Sequence, residues 1–225
     1  RPTCSPAWIA WKRPAMTRIA LFAGGDLDVL ETDFDVFVGV DAGSLFLLQH
    51  QLPLDMAIGD FDSVSPADFQ QIEQAAKELI QTPAEKDDSD LELALKTVFE
   101  RYPQAQTRVF GALGGRIDHL LSNLFLASEP DLAPFMEQIE LVGADNHILF
   151  RPAGQHRLSP IEGMTYISFM PADGSRLTIE NAKYPLGEEN FFFKKCYSSN
   201  EFLDGDIQIA LDTGYVVIIY SKDRS

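Results

Sequence analysis

The sequence contains little cysteine, little positive charge and no long apolar segment. Its two cysteines in 225 residues are too few for a disulfide framework and suit a reducing cytosol. Lysine and arginine number 18 against 34 acidic residues, and the net charge of -16 disfavours binding to nucleic acid. The longest apolar runs, such as residues 216–220, are much too short to cross a bilayer. We therefore expect a cytoplasmic protein that binds neither nucleic acid nor membranes.

The apolar content of the chain is ample for a core, since 45% of its residues are hydrophobic. The first fifteen residues begin without methionine, contain three prolines and show no regular periodicity, whereas Met16 is followed at once by a strand pattern. We expect residues 1–15 to be a non-native or disordered extension. The alternative is an N-terminal arm that packs on a partner. These residues do not resemble a secretory signal, because they lack an uninterrupted apolar segment.

Two groups of carboxylates separated by one helix are the most informative feature of the chain. Asp60 and Asp62 follow a short apolar run, and their i, i+2 spacing places both side chains on one side of an extended segment. Asp87, Asp88 and Asp90 form the second group, just before a helical pattern. Converging carboxylate oxygens favour a hard divalent cation such as Mg2+, completed by water and substrate phosphates. The alternative is that these aspartates are solvated turn residues and helix caps.

Two turns rich in small residues follow apolar segments and precede helical patterns. They comprise residues 41–44 (DAGS) and residues 113–119 (LGGRIDH). A turn of this kind presents backbone N–H groups to phosphate, and its glycines permit close approach. Arg116 adds a planar donor, and Asp118 would either reach a metal or substrate group or cap the following helix. Tight turns without a ligand are the alternative for both segments.

Repeated strand, loop and helix patterns between residues 18 and 127 predict an α/β fold. One helix has good capping chemistry, with Ser65 at the N-cap, Pro66 at N1 and Asp68 at N3. The alternation predicts a Rossmann-like, doubly wound and mostly parallel sheet with helices on both faces. Ligands of such sheets bind outside the carboxyl ends of the strands, where the acidic groups and glycine turns fall. We assign this α/β catalytic domain to residues 16–136.

The pattern changes after about residue 137, where short strand-like segments alternate with turns. These segments cover residues 139–142, 147–150, 164–170, 176–179, 207–211 and 215–220, with turns at residues 172–175 and 212–214. Short strands joined in this way predict an antiparallel β-sandwich domain at residues 137–225. Its polar run at residues 197–202 (YSSNEF) suits hydrogen bonding to an aminated heterocycle, although a surface loop is the more common fate of such residues.

Five motifs occur in the order seen in bacterial thiamine pyrophosphokinases, which the chain resembles from Ile19 to Asp223. They are GDFDS at residues 59–63, EKDDSD at 85–90, GGRIDH at 114–119, KYPL at 183–186 and SNEF at 199–202. The chain departs from the family pattern at Ser89, where threonine is usual, and matches it only loosely in the middle of the turn at residues 41–43. Serine keeps the hydroxyl group, so we expect little consequence.

The resemblance implies an enzyme that converts ATP and thiamine to thiamine diphosphate and AMP, with Mg2+ as cofactor. The thiamine hydroxyl would attack the β-phosphorus of ATP. The resemblance also implies a homodimer with its sites between the two subunits. Two alternatives are a pyrophosphokinase for another hydroxymethyl heterocycle, such as a pterin, and a non-catalytic nucleotide or thiamine sensor.

The resemblance also implies roles for individual residues. The Mg2+ ligands would be Asp60, Asp62 and Asp90, with Asp87 as an extra ligand. The residues in contact with ATP would be Asp41, Gly43, Ser44, Lys86, Ser89, Gly115 and Arg116. The catalytic residues would be Asp62, Arg116 and Asp118, the last of which would orient or deprotonate the thiamine hydroxyl. The thiamine pocket would be lined by Tyr184, Ser199, Asn200 and Glu201.

Overall fold

The computed structural model describes residues 16–223, so the predicted extension at residues 1–15 lies outside the described residues. Within this range the α-helices are α1 (Ala42–Gln49), α2 (Pro66–Ala75), α3 (Asp90–Arg101) and α4 (Ile117–Leu124). The strands are β1 (Arg18–Phe22), β2 (Val36–Val40), β3 (Met56–Gly59), β4 (Glu78–Gln81), β5 (Gln106–Phe110), β6 (Ile139–Val142), β7 (Asn146–Leu158), β8 (Tyr166–Pro171), β9 (Leu177–Glu180), β10 (Tyr197–Asn200) and β11 (Ile207–Ser221).

Six strands pair in parallel in the order β4-β3-β2-β1-β5-β6. Strands β1, β2 and β3 are nearly continuous apolar runs, as expected where helices cover both faces of a sheet, whereas β4 and β5 also carry polar residues. Leu21 of β1 packs in the same core as Leu95 of α3, whereas its neighbour Phe22 packs with Leu47 of α1 and Ile72 of α2. The predicted α/β fold is therefore confirmed, and the strands of this first half pair in parallel.

The start of α2 shows why the local prediction of this helix is correct. Ser65 Oγ accepts a hydrogen bond from the Asp68 backbone N–H at 3.2 Å. Pro66 lies in the first turn, where its missing N–H leaves no unpaired donor. Both interactions lie within four residues of sequence, so the pattern alone specifies them.

The antiparallel strands of the second half continue the same sheet. β7 pairs with β6 on one side and with β11 on the other, and β11 also pairs with β8 and β9. β8 in turn pairs with β10. The antiparallel region is thus as predicted, but hydrogen bonds through β6 and β7 connect it to the parallel strands, so one sheet contains both. The domain boundary at residues 136 and 137 stays a prediction.

Both faces of β11 are buried, and alternate residues belong to different cores. Tyr215 and Val217 pack in the core that also contains α3, whereas Val216 and Ile218 pack in a second core formed by strands and connecting segments of the antiparallel half. This alternation is the two-residue periodicity of a β-strand. The antiparallel half is therefore layered, while the finer descriptions, Rossmann-like and sandwich, stay predictions.

One predicted turn between strands is wrong. Residues 212–214 lie inside β11, and the pairing with β7 shifts register between Leu211 and Tyr215. Because the segments before and after these residues both pair with β7, the extra residues form a bulge and the strand continues.

Candidate active site

A cavity of about 630 Å³ lies at the carboxyl ends of the parallel strands. The chain runs from β1 outward through β2, β3 and β4, and then returns to the other side of β1 as β5. Sheets with such a change of direction bind ligands in the crevice beside it. Gly24 and Gly25 after β1 line this cavity together with Gly111 and Gly114 after β5, and the Gly25 N–H donates a hydrogen bond to the Gly111 carbonyl at 2.9 Å.

Three aspartates from separate parts of the chain converge in the cavity. Asp41 follows β2, Asp60 follows β3 and Asp90 begins α3. Each offers one carboxylate oxygen, and these oxygens all lie within 4.8 Å of one another. The three residues are partly buried, so their mutual repulsion is poorly screened by water. We call these residues the carboxylate cluster.

The position of Asp41 in the cluster depends on an unusual backbone and on a glycine opposite it. Asp41 has φ 48° and ψ -121°, a conformation that is costly for a residue with a side chain. Its Oδ1 accepts a hydrogen bond from the Phe61 backbone N–H at 3.1 Å. A Cβ atom on Gly59 would lie 1.9 Å from that oxygen, so only glycine leaves room for the carboxylate.

Asp90 is positioned by the first turn of α3. Ser89 and Glu92 form a capping box, in which each side chain accepts a hydrogen bond from the backbone N–H of the other residue. Thr82 Oγ1, just after β4, donates a hydrogen bond to Asp90 Oδ1 at 3.1 Å. The role of Ser89 in the structure is therefore to cap the helix that presents Asp90, and Ser89 also lines the cavity.

Lys86 is the cation in contact with the cluster. Its Nζ lies 2.9 Å from Asp90 Oδ1 and 3.8 Å from Asp60 Oδ2, and it also donates a hydrogen bond to the Pro83 carbonyl. Burial acts to lower the pKa of Lys86, but the hydrogen bond and charge of Asp90 and the charge of Asp60 outweigh it and raise this pKa. Lys86 is therefore a charged donor at the centre of the site.

Burial and the neighbouring carboxylates disfavour the charged form of Asp41. Its pKa is raised to about 7, chiefly by burial and further by the charges of Asp90 and Asp60. The hydrogen bond from the Phe61 N–H acts in the opposite direction. A bound cation would remove the repulsion that favours the protonated form.

Two of the aspartates predicted as metal ligands lie outside the cluster. Asp62 is exposed, and its backbone N–H donates a hydrogen bond to Asp60 Oδ1 at 3.1 Å. Asp87 is also exposed. Its neighbour Asp88 pairs with Lys96 at 2.8 Å. The structure brings Asp41 into the cluster instead, although the family resemblance implied only a contact with ATP for this residue.

The loop between β5 and α4 carries the predicted arginine. Gly114 has φ 91°, and a Cβ there would lie 2.1 Å from Asp26 Oδ2, so this turn requires glycine. Gly115 and Arg116 line the cavity beside it. The Arg116 guanidinium pairs with Asp118 at 2.6 Å, and both side chains are largely exposed. The hydrogen bond and charge of Asp118 raise the pKa of Arg116, and those of Arg116 lower the pKa of Asp118.

The small residues after Asp41 serve packing in this structure. A Cβ on Gly43 would lie 1.9 Å from the Phe22 carbonyl oxygen, so this glycine lets α1 approach β1. The Ser44 side chain is fully buried and lies against Gly39. Neither Gly43 nor Ser44 lines the cavity, so their contacts with ATP stay a prediction that this geometry does not support.

A second cavity, of about 460 Å³, lies in the antiparallel half and contains part of the predicted thiamine pocket. Tyr184 and Asn200 line it together with Phe192 and Tyr197. The buried Asn200 amide accepts hydrogen bonds from the backbone N–H groups of Tyr184 and Glu201, and donates one to the Tyr184 carbonyl. Asn200 therefore fixes the loop that carries Tyr184.

The other two predicted pocket residues are held by different partners. Glu201 pairs with Lys183 at 2.7 Å. Ser199 is exposed, with φ 60°, and its backbone N–H donates a hydrogen bond to Ser168 Oγ. Ser199 does not line the cavity, although its neighbours Ser198 and Asn200 do, and the pairing of β10 with β8 shifts register between Tyr197 and Asn200.

The fold and the site together define an α/β protein with a cavity suited to a cation and phosphate groups at the carboxyl ends of its strands. Residues 27–139 match the family described as thiamin pyrophosphokinase, catalytic domain, and residues 155–216 match its vitamin B1 binding domain. A thiamine pyrophosphokinase of Bacillus subtilis (strain 168) is 33% identical over 217 residues, which is 92% of this chain and 100% of that protein. The chain belongs to the thiamin pyrophosphokinase family.

Solved structures of relatives agree with this assignment. A thiamin pyrophosphokinase family protein from Enterococcus faecalis is 38% identical, with a TM-score of 0.86 over 92% of this chain and 100% of that chain. The thiamin pyrophosphokinase from Candida albicans has a TM-score of 0.72 at 15% identity, over 92% of this chain and 90% of that chain, and shows the shared fold alone. Within residues 16–223, none of the helices has the length and apolar character that a membrane crossing requires.

Proposed function

We propose that this protein transfers the pyrophosphoryl group of ATP to thiamine, giving thiamine diphosphate and AMP. The observation that carries the proposal is the convergence of Asp41, Asp60 and Asp90 at a glycine-lined cavity, in a chain whose two halves match the catalytic and the vitamin B1 binding domains of one family. Phosphoryl-type transfer requires mainly positioning and neutralisation of charge, and the cavity offers groups for both.

The donor set of the cluster fits Mg2+. It consists of carboxylate oxygens from Asp41, Asp60 and Asp90, which are the hard ligands that this ion prefers. When bound, Mg2+ would neutralise negative charge on the phosphates as it develops. Asp62 and Asp87 remain proposed ligands, although the cluster forms without them.

We propose that three groups of this chain hold the triphosphate of ATP. Lys86 and Arg116 are the cationic side chains that line the cavity, and Gly115 leaves backbone open beside Arg116. Arg116 carries a planar guanidinium that can donate hydrogen bonds to phosphate oxygens. It would become available to ATP by leaving its ion pair with Asp118. We assign Asp118 to the reaction itself, as a group that orients the thiamine hydroxyl or accepts its proton, and propose that Asp62 acts in catalysis as a metal ligand.

The reaction is balanced without a further reactant. The hydroxyl oxygen of thiamine forms a bond to the β-phosphorus of ATP, and the bond from that phosphorus to the oxygen bridging the α- and β-phosphates breaks. AMP leaves with the electron pair of that bond. The hydroxyl proton passes to a carboxylate or to water.

We propose that thiamine binds in the cavity lined by Tyr184 and Asn200, and that two chains form a homodimer. The lining residues of this cavity and of the phosphate cavity do not overlap. Next to Arg116, α4 exposes 72% of Ile117 and 46% of Leu121, and such exposed apolar faces mark interaction surfaces. A second chain over α4 would cover this face. We also propose a cytoplasmic location and the division into domains at residues 136 and 137.

The test is to incubate the protein with ATP, Mg2+ and thiamine, with and without a chelator, and to identify both products. We expect thiamine diphosphate and AMP in equal amounts, and no product with the chelator. Thiamine monophosphate with ADP would contradict attack at the β-phosphorus. Asp60→Asn should abolish most turnover, whereas Asp33→Asn, at an exposed ion pair with Arg18, is the matched control.

The two family matches favour thiamine over the other substrates considered. A pterin pyrophosphokinase would accept a hydroxymethylpterin in the same assay, and a sensor would bind ATP without forming any product. Transfer to the pterin at a rate equal to that for thiamine would overturn the substrate assignment.

A further inference from the structure

The ammonium group of Lys86 lies against two carboxylates of the cluster, those of Asp90 and Asp60. Both ion pairs formed by the cluster within residues 16–223 are with Lys86, at 2.9 Å from Asp90 and 3.8 Å from Asp60. The Lys86 side chain is only 16% exposed, and the Pro83 carbonyl accepts a third contact at 3.0 Å. These contacts hold the Lys86 ammonium against two of the three carboxylates of the cluster.

We propose that Lys86 is an internal counter-ion: it stabilises the cluster when no metal is bound, and the divalent cation displaces it on binding. The proposal rests on the proposed function only in taking the cluster as the metal site. Three carboxylates with oxygens within 4.8 Å of one another repel, and one ammonium offsets part of that repulsion. A divalent cation on the same oxygens repels the ammonium, so the two compete for the site.

The surroundings of Lys86 allow such a displacement. The residue lies in an irregular segment, residues 82–89, between the end of β4 and the start of α3. Its charge is carried on a flexible four-carbon stem, which can move the ammonium without moving the backbone. Once displaced, the ammonium remains beside the same cavity, where it is available to an anionic ligand.

The first test measures Mn2+ and Mg2+ binding by calorimetry in the absence of ATP and thiamine, on the full chain and on Lys86→Met. Removal of the competing charge should tighten Mn2+ binding roughly tenfold, which corresponds to about 1.4 kcal/mol. Lys77→Met is the matched control, because it makes the same change in net charge at an exposed pair with Asp55, at the amino end of β3. Its affinity for Mn2+ should equal that of the unchanged protein.

A second test uses the unchanged protein and so does not depend on how a variant folds. Acetylation of Lys86, measured by mass spectrometry of its peptide, should be slow without metal and several times faster when Mg2+ is added. Lys77, whose side chain is 74% exposed, should react at the same rate in both conditions and serves as the internal reference.

The outcomes separate this inference from the proposed function. Equal or weaker Mn2+ binding by Lys86→Met, or a Lys86 acetylation rate that Mg2+ leaves unchanged, would overturn the inference while thiamine diphosphate synthesis could still be observed. Lys86→Met could bind Mn2+ more tightly while the unchanged protein makes no thiamine diphosphate. That result would support the inference and contradict the proposed function. If neither protein binds Mn2+ at millimolar concentration, the inference fails together with the proposed metal site.

Discussion

The carboxylate of Asp41 lies directly against the α-carbon of Gly59, so that a Cβ atom on Gly59 would come within 1.9 Å of Asp41 Oδ1. Gly59 also has φ 152°, a backbone conformation that residues with a side chain rarely adopt. The last residue of β3 therefore determines where the residue after β2 can place its side chain. The carboxylate cluster depends on this contact between neighbouring strands as well as on the aspartates themselves.

We predict that Gly59→Ala will lower turnover at least tenfold. The new methyl group must push the Asp41 carboxylate out of the cluster, and overlap of this kind typically costs about 1–3 kcal/mol of folding free energy. Steady-state turnover and thermal unfolding would be measured on the same preparation.

Gly163→Ala is the control for the effect of backbone conformation. Gly163 has φ 82°, but nothing lies within 4 Å of a Cβ placed there. This variant should lose some stability and keep its turnover. Equal turnover in Gly59→Ala and the unchanged protein would contradict the role of Gly59.

The same contact shows which part of the site the sequence could predict. Asp60, Lys86 and Asp90 lie in segments whose local pattern already indicates a turn and a helix start, and all three meet in the structure. The place of Asp41 in the cluster depends on β2 and β3 being neighbours, which no local pattern reveals. The signal that was available is the position of Asp41, since it follows an apolar strand in the same way as Asp60.

The fold shows the same division between local and distant interactions. The cap of α2 depends on neighbours in sequence and is correctly predicted. The continuity of β11 through residues 212–214 depends on pairing with β7, more than fifty residues away in the chain. Ser44 is similar: its turn suits phosphate, but the close packing of α1 on the sheet buries the side chain.

We predict that Asp60→Asn and Asp62→Asn will have different effects on metal binding. Asp60 belongs to the cluster, so its neutralisation should weaken Mn2+ binding at least tenfold and lower turnover about a hundredfold. Asp62 is exposed outside the cluster, so its variant should lower turnover while Mn2+ binding without ATP stays within about twofold. Calorimetry and product formation measure the two effects separately. Equal loss of Mn2+ affinity in both variants would make Asp62 a ligand of the free protein.

We predict a pH-dependent loss of stability for Glu140→Gln. Burial acts to raise the pKa of Glu140, but hydrogen bonds and charge from His147 and Arg108 outweigh it and hold this pKa below its ordinary value of 4.5. A lowered pKa means that the ionised carboxylate stabilises the folded state above about pH 4.5, and that this contribution disappears as the pH falls through the lowered pKa. At pH 7 the substitution should cost about 2 kcal/mol, or about 4–8 °C in Tm.

The difference in Tm between Glu140→Gln and the unchanged protein should therefore shrink below pH 4.5, at fixed protein concentration. Glu78→Gln is the matched control, since Glu78 also pairs with an arginine, Arg101, but at an exposed position. Exposed pairs contribute little, so its Tm should change by no more than a degree or two at pH 7. A Tm difference for Glu140→Gln that persists unchanged at pH 3 would show that the loss does not come from the carboxylate charge.

We predict that Asn200→Ala will raise the KM for thiamine at least tenfold and change kcat by no more than about threefold. The Asn200 amide holds the backbone of Tyr184 through two hydrogen bonds, so its loss should loosen the proposed thiamine pocket and leave the phosphate cavity intact. Asn181→Ala is the matched control, because this side chain also bonds backbone carbonyls, those of Asp204 and Asp206, but lies outside the cavity. Steady-state kinetics with varied thiamine measure both. An unchanged KM in Asn200→Ala would remove this cavity as the thiamine site.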